Sequence, residues 1–153
     1  MKKLLKITTI LLILTMVVGM AACSSFGKVQ KALEDIGYAI IENKDNDLSE
    51  DAKNDESVAK VYMFNNANSL SALEIAKLTL VTVIEFNSTK ELVEYYKENN
   101  TLQGIVADVE KDGTIEEVYN QLKAKGLACG NCIIAPIGLD ASNVLTAIIN
   151  LNK

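Results

Sequence analysis

The sequence predicts an α+β domain in which a small mixed sheet of about four strands packs with about four helices, in two layers or slightly more. Residues 77–86 (KLTLVTVIEF) are rich in β-branched side chains and apolar on both faces at their centre. That pattern is typical of a central strand covered on both sides. Capping-box spacing marks the starts of two helices, with Ser88 preceding Glu91 and Thr114 preceding Glu117.

The chain after residue 23 opens with one predicted helix and two predicted strands. Apolar side chains recur at helical spacing from Phe26, and Gly37 follows them as a stop signal. Short apolar runs at residues 38–42 and 58–64 predict the two strands. The central strand then follows.

The second half of the chain predicts three helices and one strand. The helices begin at Ser88, Thr114 and Asp140, each a residue type that caps helix N-termini. Gly126 ends the second of them. Residues 132–137 (CIIAPI) predict a buried strand.

The N-terminus has the parts of a secretory signal. Lys2, Lys3 and Lys6 open the chain without an acid, and residues 7–22 carry no charge. These 16 uncharged residues would span roughly 24 Å as a helix, less than the roughly 30 Å hydrocarbon core of a bilayer. We therefore predict that residues 1–22 are a cleaved export signal.

The stretch Met20-Ala21-Ala22-Cys23 resembles the lipobox of bacterial lipoproteins, with Met20 where Leu is usual. The resemblance covers residues 1–23 alone. It implies that a diacylglycerol is attached to the Cys23 thiol and that a peptidase cuts just before this residue. The implied location is the cell membrane, with residues 23–153 lipid-anchored as one domain facing outside the cytoplasm. The alternative is an ordinary secretory signal cut near Ala22, which leaves Cys23 free.

Composition excludes several classes of function. Removing three signal lysines from 15 basic residues leaves 12 against 20 acidic ones, a formal charge of −8. A surface this acidic disfavours nucleic acid and anionic lipid head groups. The chain has no His, which excludes Ser-His-Asp and Cys-His catalysis and His-based zinc sites. We expect no cofactor.

Cys129-Gly130-Asn131-Cys132 is a CxxC motif. Outside the cytoplasm such a pair can be a structural disulfide, two packed thiols, a redox dithiol or half of a metal site. A redox pair needs a lowered thiol pKa, usually from a following helix N-terminus. Here a predicted helix precedes Cys129 and a strand follows Cys132, so the order favours a structural pair. A metal is disfavoured because two more ligands would be needed.

Residues 43–57 are polar and acidic and predict an exposed loop. Five of them fall at the ligand positions of a twelve-residue calcium loop: Asp45, Asp47, Ser49, Asp51 and Glu56. However, Glu50 stands where that loop needs Gly, and a strand is predicted where it needs a helix. A solvated loop is the favoured interpretation, and calcium is the alternative.

The predicted function is a non-enzymatic, membrane-anchored module that binds an unknown protein or small ligand. No pair of carboxylates is singled out for catalysis. The alternative is a membrane-tethered thiol–disulfide oxidoreductase that uses Cys129 and Cys132. Four tyrosines fall at positions expected for packing rather than for a ligand platform: Tyr62, Tyr95, Tyr96 and Tyr119.

Overall fold

Helices cover both faces of a five-stranded sheet in the computed structural model, which describes residues 24–41, 52–105 and 109–153. The predicted α+β class is confirmed. In chain order the elements are α1 (Ser25–Asp35), β1 (Ala39–Ile41), β2 (Val58–Asn65), two 3-10 helices (Ala67–Ser69 and Ala72–Lys77), β3 (Leu80–Phe86), α2 (Thr89–Glu98), α3 (Asn100–Ile105), α4 (Ile115–Ala124), β4 (Ala128–Cys129), β5 (Cys132–Ile137) and α5 (Ala141–Leu151).

The sheet has the order β1-β2-β3-β5-β4, and every neighbouring pair is antiparallel. The sheet predicted as mixed is therefore antiparallel throughout, and it has five strands where about four were predicted. After β3 the chain forms three helices before it reaches β4 at the edge of the sheet. A tight turn then leads to β5, which lies between β4 and β3. Because β5 separates them, β3 and β4 are not neighbours although they run in the same direction. The two residues of β4 are too few to give a sequence pattern.

β3 is the central strand, as predicted, and both of its faces are buried. Val81 and Val83 pack with residues of α1 and α5. Ile84 and Phe86 point to the opposite face and pack with residues of α2, α3 and α4. The domain therefore has three layers, helix–sheet–helix, where two layers or slightly more were predicted.

Most of the predicted helix ends are confirmed. Ser88 Oγ accepts a hydrogen bond from the Glu91 backbone N–H at 3.2 Å, and Thr114 forms a full capping box with Glu117. The residues after α1 and α4 include Gly37 at a φ of 88° and Gly126 at 75°, the left-handed region that glycine tolerates.

Asp140 is a correction to the predicted caps. It occupies the N-cap position of α5, but its side chain makes no capping hydrogen bond. Its carboxylate instead accepts a hydrogen bond from the Tyr38 hydroxyl at 3.0 Å. Burial, followed by this hydrogen bond, raises the pKa of Tyr38 to about 12. The Asp140 carboxylate that was predicted to cap α5 thus binds the distant Tyr38 hydroxyl instead.

The β5 side of the sheet is protected against strand addition. The Ile134 N–H points toward the β4 side, where it donates to the Leu127 carbonyl oxygen at 2.9 Å. Backbone N–H directions alternate along a strand, so an N–H at residue 136 would also point toward the β4 side. Residue 136 lies beyond the end of β4, where no strand could accept that hydrogen bond. Pro136 has no N–H to offer there. Further along this edge, the Asn152 side chain donates to the Ala128 carbonyl oxygen at 2.8 Å.

We predict that Gly126→Ala lowers the free energy of unfolding by about 2–4 kcal/mol, because a Cβ at positive φ costs energy and crowds its surroundings. That Cβ would collide with the Leu145 carbonyl oxygen. Gly104→Ala is the matched control, because a Cβ at Gly104, in α3, meets nothing within 4 Å. Chemical denaturation should show this control unchanged or stabilised by up to about 1 kcal/mol. Equal losses in both variants would contradict the prediction.

Candidate functional site

Cys129 and Cys132 face each other across the turn that joins β4 to β5. They are direct register partners, and both side chains belong to the core cluster on the α1 and α5 side of the sheet. Gly130 takes a φ of 58° in the two-residue connection, a conformation that Gly and Asn adopt most readily in tight hairpins. The structure therefore brings the two predicted cysteines together on one face.

Hydrogen bonds hold this turn from outside the hairpin. The Tyr119 hydroxyl donates to the Gly130 carbonyl oxygen at 2.9 Å. The Phe86 backbone N–H donates to the Asn131 carbonyl oxygen at 2.9 Å, and the Asn131 side-chain amide donates back to the Phe86 carbonyl oxygen. The turn is thus tied to α4 and to the end of β3.

Burial gives both thiols an unreactive environment. It raises the pKa of Cys129, and it raises the pKa of Cys132 to about 12 with a further contribution from nearby Glu85. The positive charges of Lys28 and Lys123 lower the pKa of Cys129, but by less than burial raises it. A redox dithiol needs the reverse, a thiolate stabilised near neutral pH. Chemistry and position therefore fit a structural pair better than a catalytic one.

The first residues after Cys23 are packed into the domain. Ser24 Oγ caps α1 by accepting the Gly27 backbone N–H at 3.0 Å. Ser25 lies directly against Gly130, where a Cβ would collide with its side chain. The Phe26 ring stacks on Tyr62 with centroids 3.5 Å apart. Cys23 itself lies outside the described residues, but the chain from it enters the fold within two residues.

A second feature is a loop at the opposite end of the sheet, closed by one buried side chain. Asn66 is 3% exposed. Its amide donates to the Lys77 carbonyl oxygen at 3.1 Å and accepts the Thr79 backbone N–H at 2.9 Å. The 3-10 helix Ala72–Lys77 lies within this loop and begins with a Ser71–Glu74 capping box. The loop is therefore held in one conformation at both of its ends.

This loop and the end of β5 present what we call the distal patch, six exposed apolar side chains. Leu73 is 97% exposed and Ile75 is 72% exposed. Leu80 pairs with Ile137 across two strands, which joins the loop to the end of β5. The distal patch consists of Leu73, Ile75, Leu78, Leu80, Ile137 and Leu139.

The sequence did not reveal the distal patch. We predicted a strand from residue 77, whereas a 3-10 helix extends to Lys77 and β3 begins only at Leu80. Because apolar side chains in a central strand are expected to be buried, the sequence did not predict that Leu78 and Leu80 are exposed. A capping box at Ser71 and Glu74 was the available signal that the strand starts later.

The remaining predicted site residues do not form a site in the described part of the chain. Of the five calcium positions, Asp45, Asp47, Ser49 and Asp51 lie outside the described residues, and Glu56 is exposed. The described residues contain no group of three or more His, Cys, Asp or Glu placed to hold a metal ion. The predicted exposed loop also falls largely outside them. Of its described residues, 53–56 are exposed, as predicted, whereas Ala52 is fully buried.

The prediction for the tyrosines is confirmed. Tyr95 and Tyr96 are buried at 7% and 1% exposure, and Tyr62 and Tyr119 are half-buried.

Within the described residues, no helix combines the length and apolar character needed to cross a membrane.

We predict that the reduced, native protein resists alkylation. At pH 8 a thiol whose pKa rises from 9.0 to about 12 has roughly a thousandfold less thiolate, so Cys132 should react that much more slowly than an unfolded cysteine peptide. The measurement is the iodoacetamide rate of protein reduced in denaturant and refolded without oxidant. The same protein in urea is the control. Native rates that match the peptide would contradict the buried-thiol assignment.

Comparisons with protein-family models, with curated proteins and with solved structures find no match to this chain.

Proposed function

We propose that this protein is a lipid-anchored module outside the cytoplasm that binds another envelope protein through the distal patch. The observation that carries the proposal is a group of six exposed apolar side chains, on and beside a loop closed by hydrogen bonds. They lie at the end of the sheet opposite the start of α1. Exposed apolar surface of this kind marks interaction sites on soluble domains, because water contact with it is unfavourable.

Rigidity supports a binding role for the distal patch. A flexible loop would let Leu73 and Ile75 fold back against the domain, but the Asn66 hydrogen bonds fix both ends of the loop. The exposed Glu74 and Lys77 side chains pair at 3.0 Å on the same 3-10 helix. A surface that is already ordered loses less conformational entropy when a partner binds.

The start of α1 follows the proposed lipid anchor and lies at the opposite end of the sheet from the distal patch. We therefore do not expect the distal patch to bind the bilayer. α1 begins beside Gly130, and the Gly130 turn is tied to Phe86 at one end of β3. The distal patch includes Leu80 at the other end of this seven-residue strand. Six steps of about 3.3 Å separate the two ends by roughly 20 Å. With the chain packed from Ser24 onward, the distal patch points away from the membrane.

Charge indicates the chemistry of the partner. A processed chain carries 12 basic and 20 acidic residues, a formal charge of −8. Two copies would repel each other, whereas a partner with a basic surface would be attracted. The partner that fits is therefore a protein with apolar side chains at its contact centre and lysines or arginines around them.

The oxidoreductase alternative has weaker support. Its nucleophile would be one of two thiols whose pKa values are raised by burial. Its motif also precedes a strand rather than a helix. A binding module requires neither thiol to react.

We predict that Leu73→Ser with Ile75→Ser weakens binding to the partner at least tenfold without lowering stability. Losing two apolar anchors costs about 1.4 kcal/mol or more of binding free energy, while side chains 97% and 72% exposed contribute little to folding. Ile40→Ser is the matched control, because Ile40 is 46% exposed and lies on β1, outside the distal patch.

The partner for this measurement is identified by photocrosslinking from position 75 in living cells and is then purified. The proposal is supported if the purified pair binds and the double variant alone loses affinity. Crosslinks to lipid, crosslinks to a second copy of the chain, or equal affinities for all variants would overturn the distal patch as a protein-binding surface.

We also predict that Cys23→Ser abolishes lipid attachment, so that any chain cleaved of its signal is released from the membrane. Two acyl chains on one residue anchor firmly, whereas a domain with this acidic surface has little affinity for anionic bilayers on its own. Fractionation and intact mass of the wild type and the variant measure this directly. The anchor assignment fails if the wild type carries no diacylglycerol or if the variant stays in the membrane as a cleaved chain.

A further inference from the structure

The Cys129–Cys132 pair has a placement that permits a disulfide, although both thiols are free in this structure. The two cysteines are direct partners of an antiparallel ladder. Such partners have Cα atoms about 4.5–5.5 Å apart, and Cα atoms joined by a disulfide are usually 4.4–6.8 Å apart. A bond between the two sulfurs therefore requires no change of register.

Both side chains also lie on the same side of the sheet, as a disulfide requires. They share one core cluster with Val29 of α1 and Ile134 of β5. The turn between them is held by Tyr119 and by Phe86. Little further ordering is then needed to bring the sulfurs together.

We infer that Cys129 and Cys132 are joined by a disulfide in the exported protein, and that this bond locks the turn on which the anchor-proximal end of α1 rests. The inference depends on the export proposed above, because disulfides persist outside the cytoplasm and are rare inside it. It adds a covalent modification that a binding module does not itself require.

The oxidant is a small-molecule or protein disulfide outside the cytoplasm. One chain thiolate attacks that disulfide and releases its first sulfur as a thiol, and the second chain thiolate then displaces the remaining sulfur. The two cysteines lose two electrons and two protons, and the oxidant becomes two thiols. This exchange occurs before folding is complete, since burial in the finished domain suppresses the thiolates and excludes the reagent.

The disulfide would act at the shortest strand of the sheet. β4 has only two residues, yet Ser25 packs on the turn beside it. Opening this hairpin would remove the surface under the first turn of α1, where Phe26 stacks on Tyr62. A covalent link between the last residue of β4 and the first residue of β5 prevents that opening.

The test expresses the full chain, including residues 1–22, and isolates the exported product from bacterial envelopes after acid quenching. The protein is denatured, treated with N-ethylmaleimide without reductant and digested with trypsin. No lysine or arginine lies between Lys125 and Lys153, so both cysteines fall in the peptide 126–153. We expect this peptide to be unlabelled and two hydrogen atoms lighter, and to take two labels after reduction. A doubly labelled peptide without reduction overturns the inference.

The N-terminal peptide of the same digest separates this inference from the proposed function. A diacylglycerol on Cys23 together with a labelled 126–153 peptide would overturn the disulfide and leave the anchor standing. An unlabelled 126–153 peptide supports the disulfide whatever Cys23 carries, and absence of lipid on Cys23 counts against the anchor alone.

A stability measurement provides a second readout with a matched control. Reducing the wild type in denaturant and refolding it with reductant should lower Tm by about 5–10 °C, as expected for a bond that closes a very short loop in a domain of this size. The Cys129→Ala, Cys132→Ala double variant should show the same Tm with and without reductant. A wild-type Tm that does not respond to reductant would overturn the inference.

Discussion

The fold depends on the burial of β3 on both faces. Val81 and Val83 contact one helical layer, and Ile84 and Phe86 contact the other. A strand in this position requires two helical layers and a neighbouring strand on each side, which β2 and β5 supply. Because β3 runs through the middle of the domain, its two ends define the two surfaces that the domain presents.

The two ends of β3 have opposite character. At Phe86 the chain is tied to the Gly130 turn by backbone hydrogen bonds, and the first residues after Cys23 pack there. At Leu80 the helices no longer cover the sheet, and Leu80 and Ile137 are 36% and 52% exposed. The proposed function uses this difference, with the anchor near one end of β3 and the partner at the other.

The buried and partly buried polar side chains mainly hold neighbouring segments in place through hydrogen bonds. Asn66 closes the loop that carries Leu73 and Ile75. Asp140 gives up its expected capping role and binds the Tyr38 hydroxyl, which links α5 to the chain just before β1. Among the described residues, no buried side-chain polar atom lacks a hydrogen-bond partner. Buried polar groups left unpaired would be costly, so this network fixes one conformation.

The sequence by itself determined the α+β class, the central strand, the caps at Ser88 and Thr114 and the glycine stops, because each follows from short-range periodicity or from the conformation of one residue. Only the tertiary structure decided the antiparallel order, since it depends on where a helical crossover lands and on a two-residue strand that leaves no pattern. Exposure of Leu73 and Ile75, and the pairing of Cys129 with Cys132 on one face, were likewise decided by packing between distant segments. Burial is a property of neighbours in space, which the order of residues along the chain does not specify.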